Sequence, residues 1–194
     1  MTKSRDVISE IKIDHKVITD LWERFQTTAV ESEKQKIANS IIREIAVHST
    51  CEEIVLYPTF EKYLKDGSQL ADHSREEHAQ VKKDLYELDK MKTSDAGYPS
   101  LIGKVMKELF EHIKEEEDTI LPKFQSAINH DELNSLGKSF ANTRLTSPTH
   151  PHPSAPDKPP AETIAGTAAL PLDKARDASR EFAETIREQL EKAY

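Results

Sequence analysis

Apolar residues recur every three or four positions along most of the first 130 residues, and this spacing predicts amphipathic α-helices. Four such helices are predicted, over residues 5–29, 33–65, 68–91 and 99–128. Asp66-Gly67 is a typical helix-ending signal, and residues 94–97 are typical of a turn before the fourth helix. Four long helices joined by short turns predict an all-α fold, an up-down-up-down four-helix bundle.

Two prolines lie late in these predicted helices, Pro58 in the second and Pro122 in the fourth. A proline inside a helix removes one backbone hydrogen bond, and its ring collides with the preceding turn. We therefore expect the last turns of the second and fourth helices to be bent or broken.

The composition changes after the bundle, because residues 147–171 hold seven of the ten prolines. Such a segment is predicted to be extended rather than helical. Beyond Pro171 the apolar residues return to mixed three- and four-residue spacing, which predicts a C-terminal amphipathic helix. The predicted organisation is a bundle over residues 1–143, a proline-rich extended connector over 144–172 and a C-terminal helix over 173–194.

Charge and composition narrow the classes of function. The net charge is −8, from 27 lysines and arginines against 35 acidic residues, which argues against a protein that follows nucleic-acid phosphates. The single cysteine, Cys51, cannot form an intramolecular disulfide. No apolar run is long enough to cross a bilayer or to act as a secretory signal. We expect a cytoplasmic protein with no nucleic-acid or membrane partner.

The bundle sequence contains an internal repeat. HSTCEEIVLYPTF, from His48, and HIKEEEDTILPKF, from His112, share a first histidine, two glutamates, a proline and a phenylalanine in register. Upstream, DHKVI from Asp14 parallels EHAQV from Glu77, and the copies are 63 to 64 residues apart. The repeat predicts two copies of a two-helix unit, each with one lone histidine and one His-x-x-x-Glu pair.

These repeated histidines and glutamates continue the apolar stripes of their helices, so they are predicted to point into the core. Burying even a neutral polar group without a partner costs roughly 2–7 kcal/mol. Buried His–Glu ion pairs are the alternative, but so many would be costly to satisfy. Metal coordination is the simpler explanation. The predicted ligands are His15, His48, Glu52, His78, His112 and Glu116.

Ligand type alone leaves the metal open among iron, manganese, zinc and copper. Six ligands exceed the four of a closed zinc site, and the two-fold repeat indicates two metal ions. Glu52 and Glu116, one from each half, are placed to bridge them. Six ligands shared by two metals leave an open position, which on a redox-active pair indicates chemistry with dioxygen, peroxide or nitric oxide.

The repeated His and His-x-x-x-Glu motifs, with their EE…P continuations, resemble the hemerythrin-like (HHE cation-binding) family over residues 5–130. The resemblance implies a four-helix bundle around a non-haem di-iron centre, bridged by the two glutamates and an oxo or hydroxo group. Oxygen-carrying members have a further histidine one helical turn before the third-helix ligand. Ser74 occupies that position here, and His73 lies about 140° around the helix from His78, on a polar face, so that only a local bulge in the helix would make His73 a ligand.

This departure favours reactions at an open iron over reversible oxygen carriage. We expect peroxide breakdown, with peroxidase- or catalase-like activity left open, or nitric oxide binding. The alternative is an iron- or oxygen-responsive sensor or interaction module that acts through the C-terminal helix. Tyr57 is interpreted as packing or as an extra ligand, and Cys51 as packing. Glu53 and Glu117 are solvated or support the ligands, and His130, His150 and His152 are not ligands.

Overall fold

The structure, a computed structural model, describes residues 5–192, and regular structure in this range is entirely helical. The helices are α1 (Val7–Thr27), α2 (Glu31–Cys51), α3 (Tyr57–Tyr63), α4 (Gly67–Leu88), α5 (Tyr98–Glu115), α6 (Leu121–Ala127), α7 (His130–Arg144), α8 (Ala161–Asp177) and α9 (Ile186–Lys192). α2 runs into α3, and α5 into α6, so the predicted four-helix bundle is confirmed. α1 packs on α2, and α4 packs on both α3 and α5.

Local signals set the helix ends where the sequence predicts them, to within a few residues. Asp6 caps α1, because its carboxylate accepts the backbone N–H of Ser9 at 2.9 Å. Gly67 begins α4 beside the carbonyl of Phe60, where a Cβ atom would collide with the backbone. The turn from α3 to α4 therefore requires glycine at this position.

The two predicted breaks, at Pro58 and Pro122, take the form of π-helical turns. Residues Glu52–Leu56 and Glu116–Ile120 each form one wide turn immediately before the next short helix. In these turns Tyr57 donates to the carbonyl of Glu52, and Leu121 donates to that of Glu116. A π-turn leaves one backbone carbonyl without an α-helical hydrogen-bond partner. Proline has no backbone N–H, so it can lie at the position where that donor is missing. The helices therefore continue through the prolines.

The bundle interior has two apolar clusters. One contains Val17, Ile18, Ile45, Val81 and Leu109 among others, and the second contains residues such as Ile11, Leu56, Ala71, Ile120 and Phe124. Each long helix crosses from one cluster to the other. The segment between the clusters carries the predicted ligands, so the fold places these polar residues in a layer inside an otherwise apolar core.

The C-terminal region differs from the sequence-based expectation. Residues 161–172 of the predicted extended connector and residues 173–177 of the predicted C-terminal helix together form α8, with Pro171 inside the helix, whereas residues 178–185 are not helical. The proline count of the whole segment predicted an extended chain, but six of its seven prolines precede α8 and do not interrupt this helix. α7 follows the bundle helices and was not predicted. The division into residues 1–143, 144–172 and 173–194 stays a prediction, and residues 193 and 194 lie outside the described part.

The C-terminal region lies on the bundle rather than apart from it. α7 and α9 both pack on α1. The nonhelical residues before α9 bind α2, where Ser40 accepts the backbone N–H of Ala183 at 2.9 Å. Between residues 5 and 192, no helix is both long enough and apolar enough to cross a membrane.

Candidate metal centre

The structure brings all six predicted ligands together, one or two from each long helix. Every one of them is at most 3% exposed. Their ligand atoms form two groups, within each of which the atoms lie within 4.8 Å of one another. The first group is His15, His48, Glu52 and Glu116, and the second is Glu52, His78 and His112.

Glu52 belongs to both groups, and its two oxygens face different histidines. Oε1 lies 3.4 Å from Nε2 of His48, whereas Oε2 lies 3.5 Å from Nε2 of His78. This is the arrangement of a carboxylate able to bridge two cations. Glu116 lies in the first group alone, with Oε2 at 3.3 Å from Nε2 of His15. The predicted second bridge through Glu116 therefore stays a prediction.

A ring of four carboxylates surrounds the ligands and orients the histidines. Each histidine faces one of these carboxylates through Nδ1 and directs Nε2 inward. The pairs are His15–Glu117 at 2.7 Å, His48–Asp14 at 3.5 Å, His78–Glu53 at 3.0 Å and His112–Glu77 at 2.8 Å. Carboxylates in this position fix the tautomer and ring orientation of metal-binding histidines.

The sequence contains a pattern that corresponds to this ring, although residue spacing alone does not identify it. In both copies of the repeat, an acidic residue precedes the lone histidine, and a second glutamate follows the predicted ligand. The sequence predicts that Glu53 and Glu117 are solvated or support the ligands, and in the structure they face histidines across the bundle. The matching role of Asp14 and Glu77 emerges only from the structure.

Several inward atoms have no hydrogen-bond partner, which tests whether the site suits a cation. They are Nε2 of His15, Nε2 of His48, Oε1 of Glu52 and both carboxylate oxygens of Glu116. An unsatisfied buried polar group costs about 1–3 kcal/mol, and more when it is charged. Imidazole and carboxylate are ligands that iron and other transition metals accept. The donor set therefore fits a metal ion.

Protonation within the layer follows from burial and neighbouring charge. Burial, reinforced by the nearby Glu116, raises the pKa of Glu52 well above its usual value. Burial also acts to raise the pKa of Glu116, but the hydrogen bond to His15 and the charges of His112, His15 and His48 together outweigh it, and the pKa falls to about 2. Burial lowers the pKa of His78 to about 4. Since metal ligands must be deprotonated, a cation would compete with a proton at Glu52.

Tyr57 lies at the edge of the second group. Its hydroxyl is 3.1 Å from Nε2 of His78 and 3.3 Å from Oε2 of Glu52. Burial raises the pKa of Tyr57 well above its usual value, so the phenol stays protonated at neutral pH. The hydroxyl is a hydrogen-bond donor next to the group that has fewer protein ligands.

The remaining histidines and the cysteine lie outside the layer. His73 is half exposed on α4, as its register predicts. His130 is on the surface, whereas His150 lies 3.0 Å from Asp89 and His152 binds Asp173. Cys51 is buried beside Ser147, and burial raises the pKa of its thiol to about 12. A thiol so rarely ionised is a packing residue.

Comparisons with known proteins agree with this geometry. The profile of the hemerythrin HHE cation binding domain matches residues 6–124. A hemerythrin-like protein of Schizosaccharomyces pombe is 37% identical over 178 residues, which are 91% of this chain and 86% of that protein. A crystal structure of a hemerythrin HHE cation binding domain-containing protein from Mycobacterium kansasii has a TM-score of 0.63 and 24% identity, and it covers 73% of this chain and 86% of its own. The chain belongs to the hemerythrin HHE cation-binding domain family.

Proposed function

We propose that the chain is a non-haem di-iron protein that binds or acts on small oxidants. The observation that carries the proposal is Glu52, whose two oxygens face the histidines of two adjoining groups. His15, His48 and Glu116 would complete the first iron site, and His78 and His112 the second. Glu52 would be common to both.

Iron in this donor set would supply redox chemistry toward dioxygen, peroxide or nitric oxide. The two groups are unequal, because the first has four protein ligands and the second three. An iron in the second group would therefore have the more open coordination position for a small molecule. Tyr57 lies beside it and would donate a hydrogen bond to the bound molecule. The apolar clusters on both sides exclude bulk water.

Peroxide consumption tests this proposal. The iron-loaded full chain is mixed with hydrogen peroxide, and its rate is compared with those of Tyr57→Phe and Glu52→Ala. We expect the wild type to consume peroxide, Tyr57→Phe to do so several-fold more slowly, and Glu52→Ala to lose the reaction. An iron-loaded wild type that neither consumes peroxide nor changes its optical spectrum with dioxygen or nitric oxide would contradict the proposal.

A second candidate function, an iron- or oxygen-responsive module, is favoured by the contacts of Asp14. Arg144 is the last residue of α7, and its guanidinium lies 2.9 Å from the carboxylate of Asp14. Arg187 is in α9, and its guanidinium lies 2.7 Å from the same carboxylate. Asp14 in turn faces His48. A change at the metal layer would therefore reach the C-terminal region through a single carboxylate.

Hydrogen exchange distinguishes the two candidates. A responsive module predicts that removing iron raises exchange across residues 178–192, with a smaller change at the far end of α5. A protein that serves only as a catalyst would show equal exchange in the C-terminal region with and without iron.

A further inference from the structure

A third cluster of ligand-type side chains lies on the surface, outside the buried layer. His73 and Glu77 are one turn apart on α4, and Glu115 comes from the neighbouring α5. Nε2 of His73 is 3.7 Å from Oε1 of Glu77 and 3.7 Å from Oε2 of Glu115. One ligand atom from each residue lies within 4.8 Å of the other two. We propose that these three residues bind a divalent transition-metal ion.

The geometry suits chelation with little rearrangement. Around an ion bound at about 2.0–2.2 Å, ligand atoms stand roughly 3–4 Å apart. The separations of 3.7 Å in the cluster are within this range. One imidazole and two carboxylates suit zinc, iron, manganese or cobalt, and the exposed side of the cluster leaves room for water ligands. The two helices that hold the residues pack directly on each other, so the three side chains start from a fixed spacing.

The cluster also lacks a compensating protein cation. Among the residues that the structure describes, no lysine or arginine pairs with Glu77 or Glu115. Both oxygens of Glu77 face histidines, Oε1 toward His73 and Oε2 toward His112 at 2.8 Å. Within the described residues, the ion-pair partners of these two carboxylates are therefore imidazoles, which leaves negative charge for a metal ion to balance.

In the first half of the repeat, arginine side chains balance the negative charge at the corresponding positions. The positions of His73 and Glu77 correspond there to Glu10 and Asp14. Arg187 binds both of these carboxylates, at 2.8 Å and 2.7 Å, and Arg144 binds Asp14 as well. The C-terminal region therefore neutralises the first copy, whereas the second copy is open to solvent. In the second copy, a metal ion would take the place that guanidinium groups hold in the first.

The surface cluster does not depend on what the buried layer binds. In the described part of the chain, His73 and Glu115 form no ion pair with the six buried ligands, and Glu77 uses separate oxygens for the two sites. The proposal therefore holds or fails separately from the proposed iron centre. Removal of His73 leaves the carboxylate that supports His112 in place.

Calorimetric titration with Co²⁺ tests the surface site on the full chain with its buried layer already filled. We expect the wild type to bind one further Co²⁺ ion, His73→Ala to bind it at least tenfold more weakly, and His130→Ala to match the wild type. His130 is the control because it is also exposed and helical but belongs to no such cluster. The result is the difference between the Co²⁺ isotherms of the wild type and His73→Ala. Metal in the buried layer is common to both proteins and cancels in this difference.

The variant His73→Arg provides a sharper test. It places a guanidinium beside Glu77 and Glu115, as Arg187 is placed in the first half. We expect it to lose the additional Co²⁺ ion and, in metal-free buffer, to melt no lower than the wild type. Identical Co²⁺ isotherms for wild type, His73→Ala and His73→Arg would overturn the proposal, as would a wild type that binds no additional ion.

Discussion

At the scale of single residues, the buried layer consists of six ligand-type side chains held by four outer carboxylates. Its six inner residues could be predicted, because helical spacing and the repeat place each on an apolar stripe. The carboxylates could not be assigned to their histidines in the same way. Glu53 pairs with His78 and Glu117 pairs with His15, and these pairings cross between helices whose relative rotation the spacing does not fix.

The ligand set leads to a first prediction. Glu52→Ala removes the carboxylate common to both groups, so we expect the purified variant to lose most or all of its iron. Glu111→Ala is the control, because Glu111 is exposed on α5 and pairs with Lys107 alone. Iron per chain is measured by elemental mass spectrometry. Full iron content in Glu52→Ala would show that the ligand assignment is wrong.

A second prediction concerns an outer carboxylate. Glu117→Ala removes the partner of His15 Nδ1 and should weaken iron binding about 10- to 100-fold, as loss of such partners usually does. Glu117 is one-third exposed, so its loss should change stability little. Asp118→Ala, at the neighbouring exposed position, is the control. Affinity is measured by competition with a chelator, and equal affinities in the two variants would refute the supporting role of Glu117.

At the scale of the elements, the long helices follow from periodicity, but their connections and additions do not. The prolines at 58 and 122 predicted broken turns, and the structure accommodates them in π-turns because the wider turn tolerates the missing N–H. α8 forms within a segment whose composition predicted an extended chain, since its prolines are concentrated before Ala161. Proline count describes the segment as a whole, whereas helix formation depends on where the prolines are.

Packing of α7 on α1 makes a prediction at this scale. A Cβ atom at Gly137 would collide with the carbonyl of Arg5, so Gly137→Ala should destabilise the fold by about 1–3 kcal/mol. Gly103→Ala is the matched control. Gly103 lies in α5, and apart from the backbone of its own helix and its chain neighbours no described atom lies within 4 Å of the added methyl group, so alanine should stabilise by up to about 1 kcal/mol. Chemical denaturation measures both, and equal shifts would contradict the close contact.

At the scale of the whole molecule, the C-terminal region joins the bundle at the metal layer. Arg187 binds Glu10 and Asp14, Arg144 binds Asp14 and Glu44, and Asp14 faces a predicted ligand. The sequence indicated a separate connector and helix, because arginines in α7 and α9 show no relation to acids on α1 until the chain is folded. The C-terminal region contributes buried charge to the core.

This arrangement predicts the effect of one substitution in α9. Arg187→Gln removes the buried partner of Glu10 and leaves Arg144 as the remaining arginine on Asp14, and breaking a buried ion pair costs about 3–5 kcal/mol. We expect lower stability together with faster loss of iron to a chelator. Lys174→Gln makes the same change of charge on the exposed face of α8 and should leave both unchanged. A stable Arg187→Gln variant with normal iron retention would show that the C-terminal region is independent of the layer.

The central claim is that the buried layer holds two iron ions. Elemental mass spectrometry of the full chain, purified without chelator, tests it most directly. The two adjoining ligand groups predict about two irons per wild-type chain, and loss of most or all of this iron in Glu52→Ala. A folded wild-type chain that contains no metal, or that binds a single zinc ion and takes up no iron, would contradict the claim.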